Sequence, residues 1–295
     1  MRTPAATQPP GETAGRYRCA FVLGGGGYLG AHEVGMLRAL LEAGIRPDLV
    51  VGTSVGALNG AVLAADPTPD AVERLVAVWA GLTGSAVFSG SVLQRTRTAV
   101  RSRTHLHSDT RLRALLEREL HGRLIEDLAV PFQCVAAEVE SAAEHWFTEG
   151  PVVEALLASC AVPGLLPAAR IDGRHYLDGG LVNSIPVGRA VALGAREVFV
   201  LQVGRIEQPL RPAQRPWEVP LVAFEIARRH RFAHDVSNLP PGVDVHLLPS
   251  GAADERPPGP VSQLRYRDAR RVAERIDRAH RASARYLAGL RPVQD

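Results

Sequence analysis

Residues 49–65 read Leu49-Val50-Val51-Gly52-Thr53-Ser54-Val55-Gly56-Ala57-Leu58-Asn59-Gly60-Ala61-Val62-Leu63-Ala64-Ala65. Three apolar residues suit a short buried strand, and the apolar run from Val55 to Ala65 suits a buried helix. Between them Gly52-Thr53-Ser54-Val55-Gly56 is a G-x-S-x-G pentapeptide in the strand–turn–helix setting of a nucleophile elbow. Gly52 and Gly56 are small enough for neighbouring backbone to approach. Ser54 would project its hydroxyl at a helix N-terminus, where free N–H groups and the helix dipole favour developing negative charge. An ordinary serine N-cap would give the same letters; the flanking strand and helix favour the nucleophile.

Working outward, residues 18–23 (RCAFVL) form a short apolar run ending in glycines, and Val34, Leu37, Leu40 and Leu41 recur at helical spacing up to Gly44. Further helices are expected over 70–80, 110–120, 151–159 and 187–193, and strands over 132–137, 196–203 and 243–248. Residues 205–220, rich in Pro and Arg, read as a surface loop, and 251–260 as a linker. Residues 261–291 read as a long Arg-rich helix with Val272, Ile276, Ala279, Tyr286 and Leu290 on one face. Strands alternating with helices predict an α/β fold, a single three-layer domain with a mostly parallel central sheet and helices on both faces. Its site should lie at the carboxyl ends of the strands.

The chain has 295 residues, 46% of them hydrophobic and 22% charged, enough apolar mass for a sizeable core. Its 34 basic and 31 acidic residues leave a net charge of only +3, which counts against a nucleic-acid partner. It contains no Lys, which excludes Schiff-base and P-loop lysine chemistry. Cys19, Cys134 and Cys160 are odd in number and far apart, so they suggest neither a disulfide framework nor a metal knuckle, and they fit a reducing compartment. No apolar run approaches the roughly 20 residues that span a bilayer. Residues 1–16 lack the apolar stretch of a secretory signal and read as a flexible N-terminal tail. The expected location is therefore cytoplasmic.

Gly24-Gly25-Gly26-Gly27-Tyr28-Leu29-Gly30 also lies between a strand and a helix. Residues 25–30 satisfy GxGxxG, but a dinucleotide site needs an acidic residue closing the second strand. Asp48 precedes that strand, whose end the serine elbow occupies. Consecutive glycines beside a nucleophile suit an oxyanion hole better, because their unhindered N–H groups can point at a tetrahedral intermediate. Asp178-Gly179-Gly180, after the hairpin-like RIDGRHYL, could be turn chemistry alone; beside a serine nucleophile Asp178 becomes a candidate base.

These three pieces, in this order, resemble the patatin-like phospholipases, lipid acyl hydrolases with a Ser–Asp dyad. The resemblance extends to longer blocks, GGGGYLGAHEVGMLRALLEAGI, VVGTSVGALNGAVLAA and ALLASCAVPGLLPAARIDGRHYLDGGLVNSIPVGRAVALGA, and covers roughly residues 18–205. It implies Ser54 as nucleophile, Asp178 as proton acceptor, and the N–H groups of Gly25, Gly26 and Gly27 as oxyanion hole, with Gly30, Gly52, Gly56, Gly179 and Gly180 as motif glycines. It also implies lipid ester substrates, phospholipids or other glycerolipids, and no cofactor. The hydrolase domain would cover 17–250, and 251–295 would be a linker and helix packed on the same domain. This chain departs from the family pattern at Leu29, where Arg or Lys is usual, and at Ser184, where a second Asn commonly follows Asn183.

Three other functions fit the same letters, one of them acyl transfer from the same site to an acceptor other than water. A Ser–Asp–His triad of the α/β-hydrolase type has His230, His234, His246 and His280 available after Asp178, with His246 best placed. A weakly active lipid-binding or scaffold member of the family is favoured by Leu29. Residues 95–113 carry six Arg, two His and a single acid; a solvated face is the simpler reading, and peripheral contact with an anionic membrane surface the functional one. His105, His107 and His121 show no metal-ligand spacing, so no metal is expected. No EF-hand-like loop calls for calcium. Trp79, Trp146 and Trp217 suit core or groove packing.

Overall fold

A computed structural model of the chain describes residues 16–84, 107–120, 122–203, 209–210, 212–251 and 269–290. Strand β1 (Tyr17–Leu23) shows why the sheet is buried on both faces. Phe21 and Leu23 enter one hydrophobic core while Ala20 and Val22 enter another on the opposite side. Strand β2 (Leu49–Thr53) does the same with Val50 on one side and Leu49 and Val51 on the other. Continuous apolar runs of this kind belong to parallel strands covered by helices.

Among the described residues eight strands form one sheet in the order β5-β6-β3-β2-β1-β7-β8, with β4 (Ala143–Phe147) also paired to β3 (Phe132–Glu138). β1, β2, β3, β7 (Ala195–Leu201) and β8 (Asp244–Leu247) run parallel. β4, β6 (Arg174–Asp178) and β5 (Ala169–Ile171) turn antiparallel at one side. The larger core holds α1 (Ala31–Glu42), α2 (Val55–Ala65), α3 (Pro69–Gly84), α4 (Thr110–Leu120) and α5 (Val152–Ser159). The smaller holds α6 (Val187–Ala192) and, through Phe232, α7 (Val219–Ser237). The three-layer α/β fold expected from the sequence is the fold observed.

Helix α8 (Ala269–Leu290) crosses α1 at close range, because a Cβ on Gly35 would lie only 2.1 Å from the Ile276 carbonyl oxygen. Val272, Ile276 and Ala279 are buried as the periodicity predicts, whereas Leu290 is exposed. Two further features differ from the sequence expectation. The loop expected over 205–220 gives way to a 3-10 turn at Pro216–Glu218 and then to the 19-residue α7. Its periodicity is obscured because Arg228 holds a buried position between Phe224 and Phe232. β4 carries polar residues toward solvent and gives little apolar signal. Residues 1–15, most of 95–113, the linker after Gly251 and positions 261–268 lie outside the described residues.

Candidate active site

β2 ends at Thr53 and α2 begins at Val55, so Ser54 makes the entire turn, with φ 54° and ψ −127°. A side chain at positive φ is strained by roughly 1–3 kcal/mol and persists only where its surroundings enforce it. Those surroundings are glycine-dependent. A Cβ on Gly52 would lie 2.5 Å from Ala57 Cα, and one on Gly56 would lie 2.4 Å from the Leu23 carbonyl oxygen. The Ser54 hydroxyl does not cap α2. It donates instead to Asp178 Oδ2 at 2.6 Å, across 124 residues of chain. That contact separates the elbow from the ordinary N-cap.

Asp178 closes β6, opposite Ala136 of β3, and its N–H is held by the Ala161 carbonyl. Its second oxygen, Oδ1, accepts the Gly180 N–H at 2.7 Å. A Cβ on Gly179 would lie 2.1 Å from the Val135 carbonyl oxygen, so only glycine lets the turn return beneath β3. Burial pushes the Asp178 carboxyl up from 3.8 to about 6, against the opposing hydrogen bonds from Ser54 and Gly180. Burial, with Asp178 adding to it, keeps the Cys160 thiol well above the usual range. It stays protonated and is no rival nucleophile.

Ser159 and Thr53, to which the sequence pattern assigns no role, hold this geometry together with the backbone of Asn183 and Ser184. Ser159 Oγ accepts the Ser54 N–H at 2.9 Å and donates to the Val135 carbonyl at 2.7 Å. Thr53 Oγ1 donates to the Asn183 carbonyl at 2.8 Å, tying the residue before Ser54 to the Asp178 loop. The Ser184 carbonyl accepts the Gly25 N–H at 2.8 Å, tying the glycine loop to the same place. These are short hydroxyl and backbone contacts between distant segments, for which the local sequence carries no signal.

The glycine loop lies against Ser54, since a Cβ on Gly25 would stand 3.5 Å from Ser54 Cβ. Gly24 N–H is committed to the Leu201 carbonyl and Gly25 N–H to Ser184. Of the three expected oxyanion donors, Gly26 and Gly27 keep N–H groups without a partner among the described residues. Leu29 is buried in the larger core with Tyr28 and Trp79, so that position brings no charge to the loop. A Cβ on Gly30 would meet Val55 at 2.8 Å and Trp79 at 2.9 Å. Below the loop Asn59 Nδ2 donates to the Gly30 carbonyl and to Glu33 Oε2, and Trp79 Nε1 donates to Asn59 Oδ1. Burial pushes the Glu33 carboxyl well above the carboxylate range.

No histidine completes a triad among the described residues. His246 sits on β8, separated from β6 by β3, β2, β1 and β7, where it stacks on Phe199 and faces Glu197. His280 pairs with Glu42, and His234 faces Asp235. The described residues contain no group of three or more His, Cys, Asp or Glu able to hold a metal ion.

A strand-end serine beside a glycine loop, hydrogen-bonded to a buried aspartate, is an arrangement suited to serine acyl transfer, here on a three-layer fold. The chain belongs to the patatin-like phospholipase family, whose profile matches residues 21–191. It is 36% identical over 189 residues to a patatin-like phospholipase domain-containing protein of Caenorhabditis elegans, covering 63% of this chain and 14% of that one. It is 33% identical over 186 residues to a lysophospholipase of Aspergillus terreus, covering 63% and 12%. The chain thus spans about one-seventh or less of the length of these relatives. Among solved structures, VipD of Legionella pneumophila aligns over 92% of this chain and 67% of its own, with TM-score 0.45 and 12% identity.

Proposed function

We propose that this chain hydrolyses carboxylic esters of phospholipids or other glycerolipids through an acyl-enzyme on Ser54. The observation that carries the proposal is the 2.6 Å Ser54–Asp178 hydrogen bond made by a carboxylate shielded from water. An ordinary aspartate is a weak base at neutral pH, whereas one raised to about 6 stays ionised there and accepts a proton more readily. Ser54 Oγ attacks the ester carbonyl carbon while its proton passes to Asp178 Oδ2. The oxyanion forms beside the free N–H groups of Gly26 and Gly27, each such donor being worth about 3 kcal/mol of barrier. Collapse breaks the bond to the leaving alcohol, which takes the proton from Asp178. Water then gives a proton to Asp178, attacks the acyl group and releases the fatty acid, and Asp178 returns the proton to Ser54.

The lysophospholipase among the relatives supports a lipid substrate. Leu181, in the turn after Asp178, and Ile226 on α7 are exposed, which supports peripheral contact with lipid around the site. No helix of the described residues is long and apolar enough to cross a membrane. The free cysteines support a cytoplasmic location.

A panel of lysophospholipid and monoacylglycerol substrates, run on the parent and Ser54→Ala, tests the assignment. Turnover by the alanine variant should fall to background, and a fluorophosphonate probe should label the parent at Ser54. Equal turnover by both proteins would reject Ser54 as nucleophile. An unlabelled parent without turnover would instead favour a lipid-binding member, the function to which the uncharged Leu29 points.

A further inference from the structure

Helix α7 sets Phe224, Arg228 and Phe232 one above another at four-residue spacing. Both ends of that stripe are fixed. Phe232 lies in the core under α6, and the Phe224 ring comes within 3.0 Å of where a Cβ on Gly180 would stand. Arg231 on the same helix pairs with Glu144, which also accepts from Asn183 of the Asp178 loop. Arg228 is thereby held between the lower core and the dyad, its side chain only 3% exposed.

A guanidinium offers five N–H donors in a planar fork. Arg228 uses Nη1 on Glu225, one turn back at 3.0 Å, and Glu225 is shared with Arg229. Its Nε and Nη2 have no partner among the described residues. Glu33, a buried acid whose ionised form the Arg228 charge favours, makes no ion pair with it. A buried cation whose fork is half empty is unfavourable unless an anion occupies it, and the fork geometry matches the paired oxygens of a phosphate or carboxylate. The glycine loop brings no competing cation, because Leu29 stands in the core.

We propose that Arg228 recognises the phosphodiester of the substrate, its Nε and Nη2 donating to the two non-bridging oxygens while the acyl ester lies at Ser54. This rests on the hydrolase assignment above and adds a specificity determinant from outside the 21–191 family match. Inorganic phosphate offers the same oxygens, so the test must separate the two sources.

The test uses the full chain carrying Ser54→Ala, with calorimetric titration of dodecylphosphocholine, dodecyl maltoside and inorganic phosphate below micellar concentrations. It is repeated with Arg228→Gln and Arg228→Lys added. The preference for the phosphodiester over the maltoside should fall at least about tenfold with Gln, the scale of a lost hydrogen bond to a charged group, and by less with Lys. The thermal midpoint without ligand should not fall with Gln, because the change removes an unsatisfied buried charge, whereas loss of a purely structural arginine would lower it. In the active protein, Arg228→Gln should lower the ratio of kcat/KM on lysophospholipid to that on monoacylglycerol by a similar factor. An unchanged preference, a lowered midpoint with both variants, or Arg228-dependent binding of inorganic phosphate alone would overturn the proposal. Ligand binding that follows Arg228, together with equal turnover by parent and Ser54→Ala, would overturn the hydrolase assignment and leave the anion site standing.

Discussion

Under the proposed mechanism Asp178 carries two opposed roles, and both follow from its burial. The carboxyl is raised from 3.8 to about 6, so between those values the folded chain binds a proton that the unfolded chain releases. Stability from this group therefore falls as pH rises through that window and stays reduced above it, by about 3 kcal/mol for two pK units. Asp178→Asn keeps an oxygen for the Gly180 N–H but has no charge to desolvate. Its thermal midpoint should exceed the parent's at pH 7–8, with the gap closing toward pH 4; a gap independent of pH would contradict the burial argument. Turnover should fall by about 10²–10⁴ with the same change. The parent's kcat/KM should rise with pH through about 6 and level off above it, because the base must be ionised. Ser159 acts at one remove, by holding the Ser54 N–H and with it the strained turn. Ser159→Ala should lower kcat on the order of tenfold with KM little changed, since it misplaces the attacking oxygen and not the bound acyl chain. A KM effect alone would assign Ser159 to substrate binding.

Among the elements, α8 reaches furthest from its place in the sequence. Arg275 donates to the Tyr28 hydroxyl at 3.0 Å and lies 4.2 Å above its ring, so a C-terminal helix clamps the loop that carries Gly26 and Gly27. Cation–π contacts near a surface are worth about 0.5–1 kcal/mol. Arg275→Ala should accordingly cost little in thermal midpoint while lowering kcat on the order of tenfold, through loosening of the oxyanion donors. An activity loss that merely tracks the stability loss would show that the clamp acts on folding alone. α7 makes the complementary case. Its Arg228 breaks the apolar stripe between Phe224 and Phe232, and the 3-10 turn at Pro216–Glu218 precedes it. Local pattern therefore reads as loop, while contacts with α6 and with the turn after Asp178 stabilise a helix.

Across the whole molecule, the parallel strands, their intervening helices and the elbow at Ser54 were legible in the sequence. Each depends on interactions within about ten residues: apolar runs, helical spacing, glycines beside a serine. Leu49–Thr53 followed by Val55–Ala65 leaves Ser54 no other place than the turn. The glycine loop was legible as a donor-rich turn, but the division of labour within it was not. Gly25 serves as a tether to Ser184, and Gly26 and Gly27 keep N–H groups without a partner among the described residues, because the Asp178 loop folds back across 159 residues of chain. By itself, then, the sequence determined the α/β architecture and the serine's position, since both are dictated by local backbone preference and by the burial of contiguous apolar residues. Only the tertiary structure decided that Ser54 meets Asp178, that no histidine among the described residues joins them, and that Arg228 is buried with two nitrogens unpartnered among the described residues. Those facts depend on the order of strands in the sheet and on which distant side chains exclude water together, and no stretch of adjacent residues encodes either.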